Sequence, residues 1–157
     1  MAAYTTNELE QRLVESAAAW IATDATIAAR CVVKERDVDA EITPKTTAAK
    51  KLRLIVVARD EGRTANYASI RNLRLSFEIR GNSKTEEGEA DGMHEVAAAV
   101  ERMLDDHNLI TALDSAAKGV RVMHAARRPG CGFAREGMIR RQLFEVEVKA
   151  VASERAA

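Results

Sequence analysis

The chain predicts an α+β fold: a mixed, mainly antiparallel sheet of about four strands, with helices packed on one face and a helix at the N-terminus. Three observations carry this prediction. Alternating apolar runs at 51–59 and 70–80 read as a pair of strands. An amphipathic helical run at 93–104 follows them and continues into a second short helical run. Two further strand runs, 120–126 and 139–151, complete the order. The 157 residues, 46% of them apolar, fit one domain spanning 1–157 with enough material for a core.

The N-terminal helix occupies 1–22. Thr5 is its predicted N-cap and Glu8 completes a capping box. Leu9, Leu13, Ala17 and Trp20 or Ile21 then share one face, while Glu8 and Arg12 are placed to pair on the outside. Trp20, the only tryptophan, anchors the end of the helix. Residues 27–33 are apolar and partly β-branched, which suits a strand or a short helix equally. Residues 37–50, with Pro44 and several threonines but no period, predict an extended loop.

Leu52, Leu54, Val56 and Ala58 alternate with Lys51, Arg53, Ile55 and Val57, and the later residues of both sets are apolar. That pattern predicts a strand covered on both faces at one end. A turn at 59–66 leads to a cleaner strand in which Leu73, Leu75, Phe77 and Ile79 point one way, so the two form a hairpin. Residues 81–92 read as a mobile acidic loop, with Asp91 capping a helix that starts near Met93. Met93, Val96, Ala97, Val100 and Leu104 form that helix's apolar stripe. Leu109, Ile110 and Leu113 add another turn or two before Gly119. In the last strand Phe144, Val146, Val148 and Ala150 alternate with polar residues, and 127–137 between the closing strands reads as a basic loop.

Net charge is zero and pI near neutral, so the totals favour neither nucleic acid nor a membrane as partner. The distribution is less even. Residues 84–106 hold eight acidic side chains against two basic ones, and 121–149 hold seven basic against three acidic. Cys31 and Cys131 lie far apart without metal-ligand spacing and, with no targeting peptide at the N-terminus, read as reduced thiols of a cytosolic protein. No apolar run approaches the roughly 18 residues that a membrane helix needs.

Chemical motifs fail one by one. His94–Glu95 begins like a zincin helix, but the position of the second histidine is Ala98. Gly130-Cys131-Gly132 lacks the third glycine of a dinucleotide fingerprint and lies between strands. Ser115–Lys118 spells SxxK without the companion motifs of that enzyme class. No cofactor and no metal is expected. Direct DNA contact is disfavoured, because the basic loop offers only Phe133 to stack a base. An arginine-rich loop fits a protein contact better.

The stretch from Leu52 to Val151 resembles the tail-terminator (tail-completion) proteins of tailed bacteriophages. The features that carry the resemblance are the strand Leu52-Arg53-Leu54-Ile55-Val56-Val57, the second strand at 72–80, and the helix His-Glu-Val-Ala-Ala-Ala-Val-Glu-Arg-Met-Leu from His94. The run Asp-Asp-His-Asn-Leu-Ile-Thr-Ala-Leu and the two closing strands around an arginine-rich loop complete it. The resemblance implies a non-enzymatic virion protein, assembled in the host cytoplasm and located in the tail or neck. Copies would form a homo-hexameric ring on the tail tube protein, stop tube polymerisation, and offer a joint to the head–neck connector. The expected contacts are a basic loop of Arg127, Arg128, Phe133 and Arg135 and an acidic counterpart of Glu86, Glu87, Glu89 and Asp91. The alternative is a small ligand-binding or enzymatic domain with a pocket near His94, His124 and Arg121.

Overall fold

Leu9, Leu13, Ala17 and Ile21 recur at helical spacing and are all buried along α1, Thr6–Ile21. The computed structural model of the chain describes residues 6–35, 52–64, 67–82, 86–129, 132–136 and 139–153, so the predicted cap Thr5 and the 37–50 loop lie outside the described residues. Arg12 is not on the outside of α1 as predicted: it is buried, and its Nη1 donates to the carbonyls of Gly119 (3.1 Å) and Ser153 (2.8 Å). Ser16 Oγ donates to the carbonyl of Leu113 at 2.7 Å. Position 12 stands one residue from the Leu9–Leu13 stripe, close enough to reach the C-terminal part of the chain.

The ambiguous apolar segment divides. Residues Ala25–Arg30 form α2 and Cys31–Lys34 form strand β1. Asp24 caps α2 by accepting the Ile27 amide at 3.1 Å. Burial opposes ionisation of Asp24, but the Ile27 amide and the Arg102 guanidinium outweigh it, holding the carboxyl below its ordinary value. Cys31 is buried as a thiol, and Cys131 lies outside the described residues.

β1 runs parallel to β2, Leu52–Thr64, with Cys31 opposite Leu52. β2 pairs antiparallel with β3, Tyr67–Asn82; β3 pairs with β6, Ile139–Ala152; and β6 pairs with β4, Val120–Arg127. The sheet order is therefore β1-β2-β3-β6-β4, mixed but mainly antiparallel, with β5, Gly132–Glu136, also on β6.

Among the described residues six strands replace the four predicted, and two predicted irregular segments turn out to be paired. The 59–66 turn is shorter than predicted, because pairing continues past a bulge at Glu61 through Gly62 opposite Asn72 to Thr64 opposite Tyr67. Gly62 takes φ +123° there, a conformation open to glycine, and Asp60 Oδ1 accepts its amide at 2.7 Å. β6 pairs with β3 only as far as Ala150 opposite Arg71, so the outer end of the β2–β3 ribbon has no partner on β6. The predicted 127–137 loop is mostly strand as well. Arg127 ends β4 opposite Val146 and Gly132 begins β5 opposite Leu143, so five steps on the edge match three on β6. Pro129 and the two glycines signal that interruption and hide the pairing on either side of it.

α3 spans Glu86–Asp106, which corrects the reading of 81–92 as a mobile loop. Gly81 and Asn82 belong to β3, and Asp91 lies inside the helix instead of capping it. Gly92 is buried, and a Cβ there would stand 3.4 Å from Arg30 Nη1, so the glycine allows close approach to α2. The pairs Arg30–Glu95 (2.6 Å) and Arg102–Asp24 (2.8 Å) tie the two helices. The predicted stripe of Met93, Val96, Ala97, Val100 and Leu104 is buried throughout. α4, Leu109–Leu113, follows with Asn108 as its N-cap.

All four helices of the described residues lie on one face of the sheet, where Leu54, Val56, Leu75, Phe77, Phe144 and Val146 meet them in one buried cluster. Phe77 and Phe144 are opposite each other at its centre, and Trp20 meets Phe77 edge-on at 6.5 Å. The second face is closed at one end only. Arg53, Ile55 and Arg80 are buried there, whereas Val57, two residues along, is 38% exposed. The predicted double coverage therefore lies nearer the start of β2 than the alternation suggests.

Candidate functional site

Arg127 and Arg128 are adjacent, and strand alternation sends them to opposite faces. Arg127 faces the helices. Its Nη1 donates to both Asp105 oxygens at 2.6 Å, Nη2 donates to Glu101 at 3.2 Å, and the guanidinium lies 5.5 Å from the Phe144 ring centroid. The Asp105 hydrogen bonds outweigh the effect of burial and raise the Arg127 pKa. Arg128 faces the open side and reaches Glu147 at 2.8 Å and Glu145 at 3.9 Å. Both arginines therefore have carboxylate partners within the chain.

The other predicted contact residues are distributed differently from two opposed loops. Phe133 and Arg135 sit on β5, opposite Gln142 and Arg140. Glu86, Glu87, Glu89 and Asp91 occupy the opening turns of α3. Their placement follows from folding the chain into layers, and it turns a linear separation of charge into a spatial one. Among the described residues the four helices carry eleven acidic residues and three basic ones, while the strands carry thirteen basic and six acidic. A chain of zero net charge is thus acidic on its helical side and basic on its sheet.

The open sheet face has a definite charge arrangement. An ion ladder crosses it: Glu61 pairs with Arg74 (2.9 Å), Arg74 with Glu145 (3.4 Å), and Glu145 and Glu147 with Arg128. Around the ladder stand Arg59 on β2, Lys149 on β6 and Arg121 on β4, each exposed and with no carboxylate partner among the described residues. Beside them is a cleft of about 210 Å³ lined by Glu61, Asn72, Leu73, His124, Glu147, Val148 and Lys149. Its polar row arises because Asn72 pairs with Lys149 and Lys149 with His124 across three strands.

The two histidines of the alternative pocket are not brought together. His124 lines the cleft, whereas His94 is exposed on α3, in the layer on the other side of the sheet. Arg121 shares the open face with His124 but does not line the cleft. His107 follows α3, with Nδ1 3.2 Å from the Met103 carbonyl and its ring 5.8 Å from Trp20. Among the described residues no group of three His, Cys, Asp or Glu side chains is placed to hold a metal ion. Among them, too, no helix is long and apolar enough to cross a membrane.

Reading the chain linearly missed the end of α3. Asp105 and Asp106 occupy its last turn, which holds no basic residue, although a helix C-terminus favours cations. Asp105 is answered by Arg127 from β4; Asp106 is exposed and has no such partner among the described residues. The adjacent carboxylates at a helix end were the available signal. Compared with known proteins, the chain matches no family model and no curated protein.

Proposed function

We propose that this chain is a structural assembly protein that closes into a homo-hexameric ring on the end of a phage tail tube. The ring stops tube polymerisation and provides the joint to the head–neck connector, so the protein belongs to the virion and assembles in the host cytoplasm. The observation that supports this reading is the opposition of an acidic helical layer and a basic open sheet face in a neutral chain. Ring closure requires two different patches on each copy, one to give and one to receive. Complementary charge speeds and orients such encounters. The order of strands and helices that carries the resemblance to tail-terminator proteins supports the tube as the ring's seat. Light scattering of the purified chain, alone and with tail tube subunits, tests the reading. A ring-sized species that binds tube ends is expected, and a monomer that ignores tube protein removes it.

A second reading rests on the cleft. His124, Lys149 and Glu147 around a polar floor would suit a small polar ligand. A metabolite retained through purification and lost in His124→Ala would favour that reading over assembly.

A further inference from the structure

Asp106 and the cations of the sheet face pose complementary electrostatic problems that one chain cannot solve alone. Asp106 places a carboxylate at the negative end of the 21-residue α3, beside Asp105, with no basic residue in the last turn. Arg127 draws on Asp105 and Glu101 only. On the far side of the sheet, Arg59, Lys149 and Arg121 project from three strands beyond an ion ladder whose carboxylates already serve Arg74 and Arg128. The sheet separates the two sets, so neither can neutralise the other within a molecule. Departures from local stability rules concentrate where a surface serves a partner.

We propose that the open sheet face around Arg59, Lys149 and Arg121 receives the carboxylate-bearing C-terminal end of α3, centred on Asp106, from a second copy of the chain. The exposed Val57 lies two residues from Arg59 on the same face and supplies an apolar contact beside the charges. The contact joins unlike surfaces, so each copy keeps one free donor end and one free acceptor face. Copies therefore add head to tail and close when the rotation per copy permits. This inference rests on the ring reading for closure, and on the two charged surfaces for the contact itself.

Charge exchange tests it. One variant carries Asp106→Lys; the other carries Arg59→Glu and Lys149→Glu. All altered side chains are exposed, and none has an ion-pair partner among the described residues. By sedimentation velocity, the wild-type chain is expected to associate at low salt and to weaken at about 0.5 M salt, where screening falls within a few ångströms. Each variant alone is expected to lose at least tenfold in association. Mixed one to one, they regain it, since each now presents what the other lacks and they alternate around an even-membered ring. Asp106→Lys is also expected to raise the monomer's unfolding temperature by about 1–4 °C, because a cation replaces an anion at the helix C-terminus. A variant that is more stable yet assembles less is an outcome that a purely structural Asp106 would not give.

Four results overturn the inference: a monomeric wild type at low salt, variants that associate like wild type, a mixture that stays dissociated, or sheet-face cations whose loss abolishes binding to a DNA duplex with no self-association in the wild type. The two readings fail separately. Rings on tubes that neither variant disturbs would remove these surfaces and keep the terminator. Head-to-tail association without affinity for tube subunits would keep the surfaces and remove the terminator.

Discussion

Replacing Arg127 with alanine is expected to destabilise the fold by about 2 kcal/mol, while the same change at its neighbour Arg128 costs less than about 0.5 kcal/mol. The Arg127 side chain is 14% exposed and makes close hydrogen bonds to Asp105 and Glu101. Charge-assisted hydrogen bonds of this kind are worth roughly 1.5–3 kcal/mol when dry. Here the carboxylates are 49% and 56% exposed, so water screening reduces the pair to about 1 kcal/mol. The contact with the Phe144 ring adds roughly 0.5–1 kcal/mol, and loss of the cation leaves Asp105 unanswered at the helix end for a few tenths more. Arg128 is 39% exposed and its partner Glu147 54% exposed, a surface pair by the same measure. For a domain of this length, about 2 kcal/mol lowers the unfolding temperature by roughly 4–8 °C. Thermal and urea denaturation followed by circular dichroism would measure both variants, and a double-mutant cycle with Asp105→Ala would isolate a coupling of about 1 kcal/mol. Equal melting temperatures for Arg127→Ala and Arg128→Ala would refute the assignment of Arg127 to the helix–sheet joint. Reversing both arginine charges together would therefore perturb folding as well as any contact surface, and Arg128→Glu alone is the cleaner probe of assembly.

Three further outcomes follow from the packing. Asp24→Ala should cost about 1 kcal/mol at pH 7 by uncapping α2. The folded-state pKa of Asp24 is depressed, so its ionic contribution is complete above about pH 4 and vanishes as pH falls through the folded value. The urea-midpoint gap between wild type and variant should therefore narrow at about pH 3, and a constant gap would contradict the bonding at Asp24. Gly62→Ala should cost about 1–2 kcal/mol through its positive φ alone, since nothing stands within 4 Å of an added Cβ; unchanged stability would show a bulge that relaxes freely. Arg12→Met should cost about 1–3 kcal/mol by taking the guanidinium from the Ser153 carbonyl and leaving the Gly119 carbonyl with the Ser153 amide as its donor, and faster exchange of amides near the C-terminal strand end would locate the loss.

The Arg12 contacts bear on how the fold is completed. With Ser16 bonded to Leu113, they fasten α1 to the end of α4, to Gly119 just before β4 and to Ser153 just after β6. Helix α3 is held differently, by ion pairs at each flank: Arg30 and Asp24 on the α2 side, and Arg127 at the sheet edge. Those pairs engage Glu95, Glu101 and Asp105 and leave Asp106 without an ion-pair partner among the described residues. The architecture thus concentrates its unanswered charge at opposite layers.

Alternation and helical spacing determined the α+β class, the β2–β3 hairpin and the buried stripes of α1 and α3, because burying one face of each element dictates a local period. Tertiary contacts decided the rest. Residues 27–33 satisfy helix and strand equally, and only a free edge on β2 makes Cys31–Lys34 a parallel strand. The glycines and carboxylates of 81–92 read as loop until packing against α2 makes Gly92 an asset. Arg12, Arg127 and Arg128 look alike in one dimension. Whether each is a buried donor, a joint between layers or a surface pair depends on residues 17 to 141 positions distant, and no local period encodes that separation.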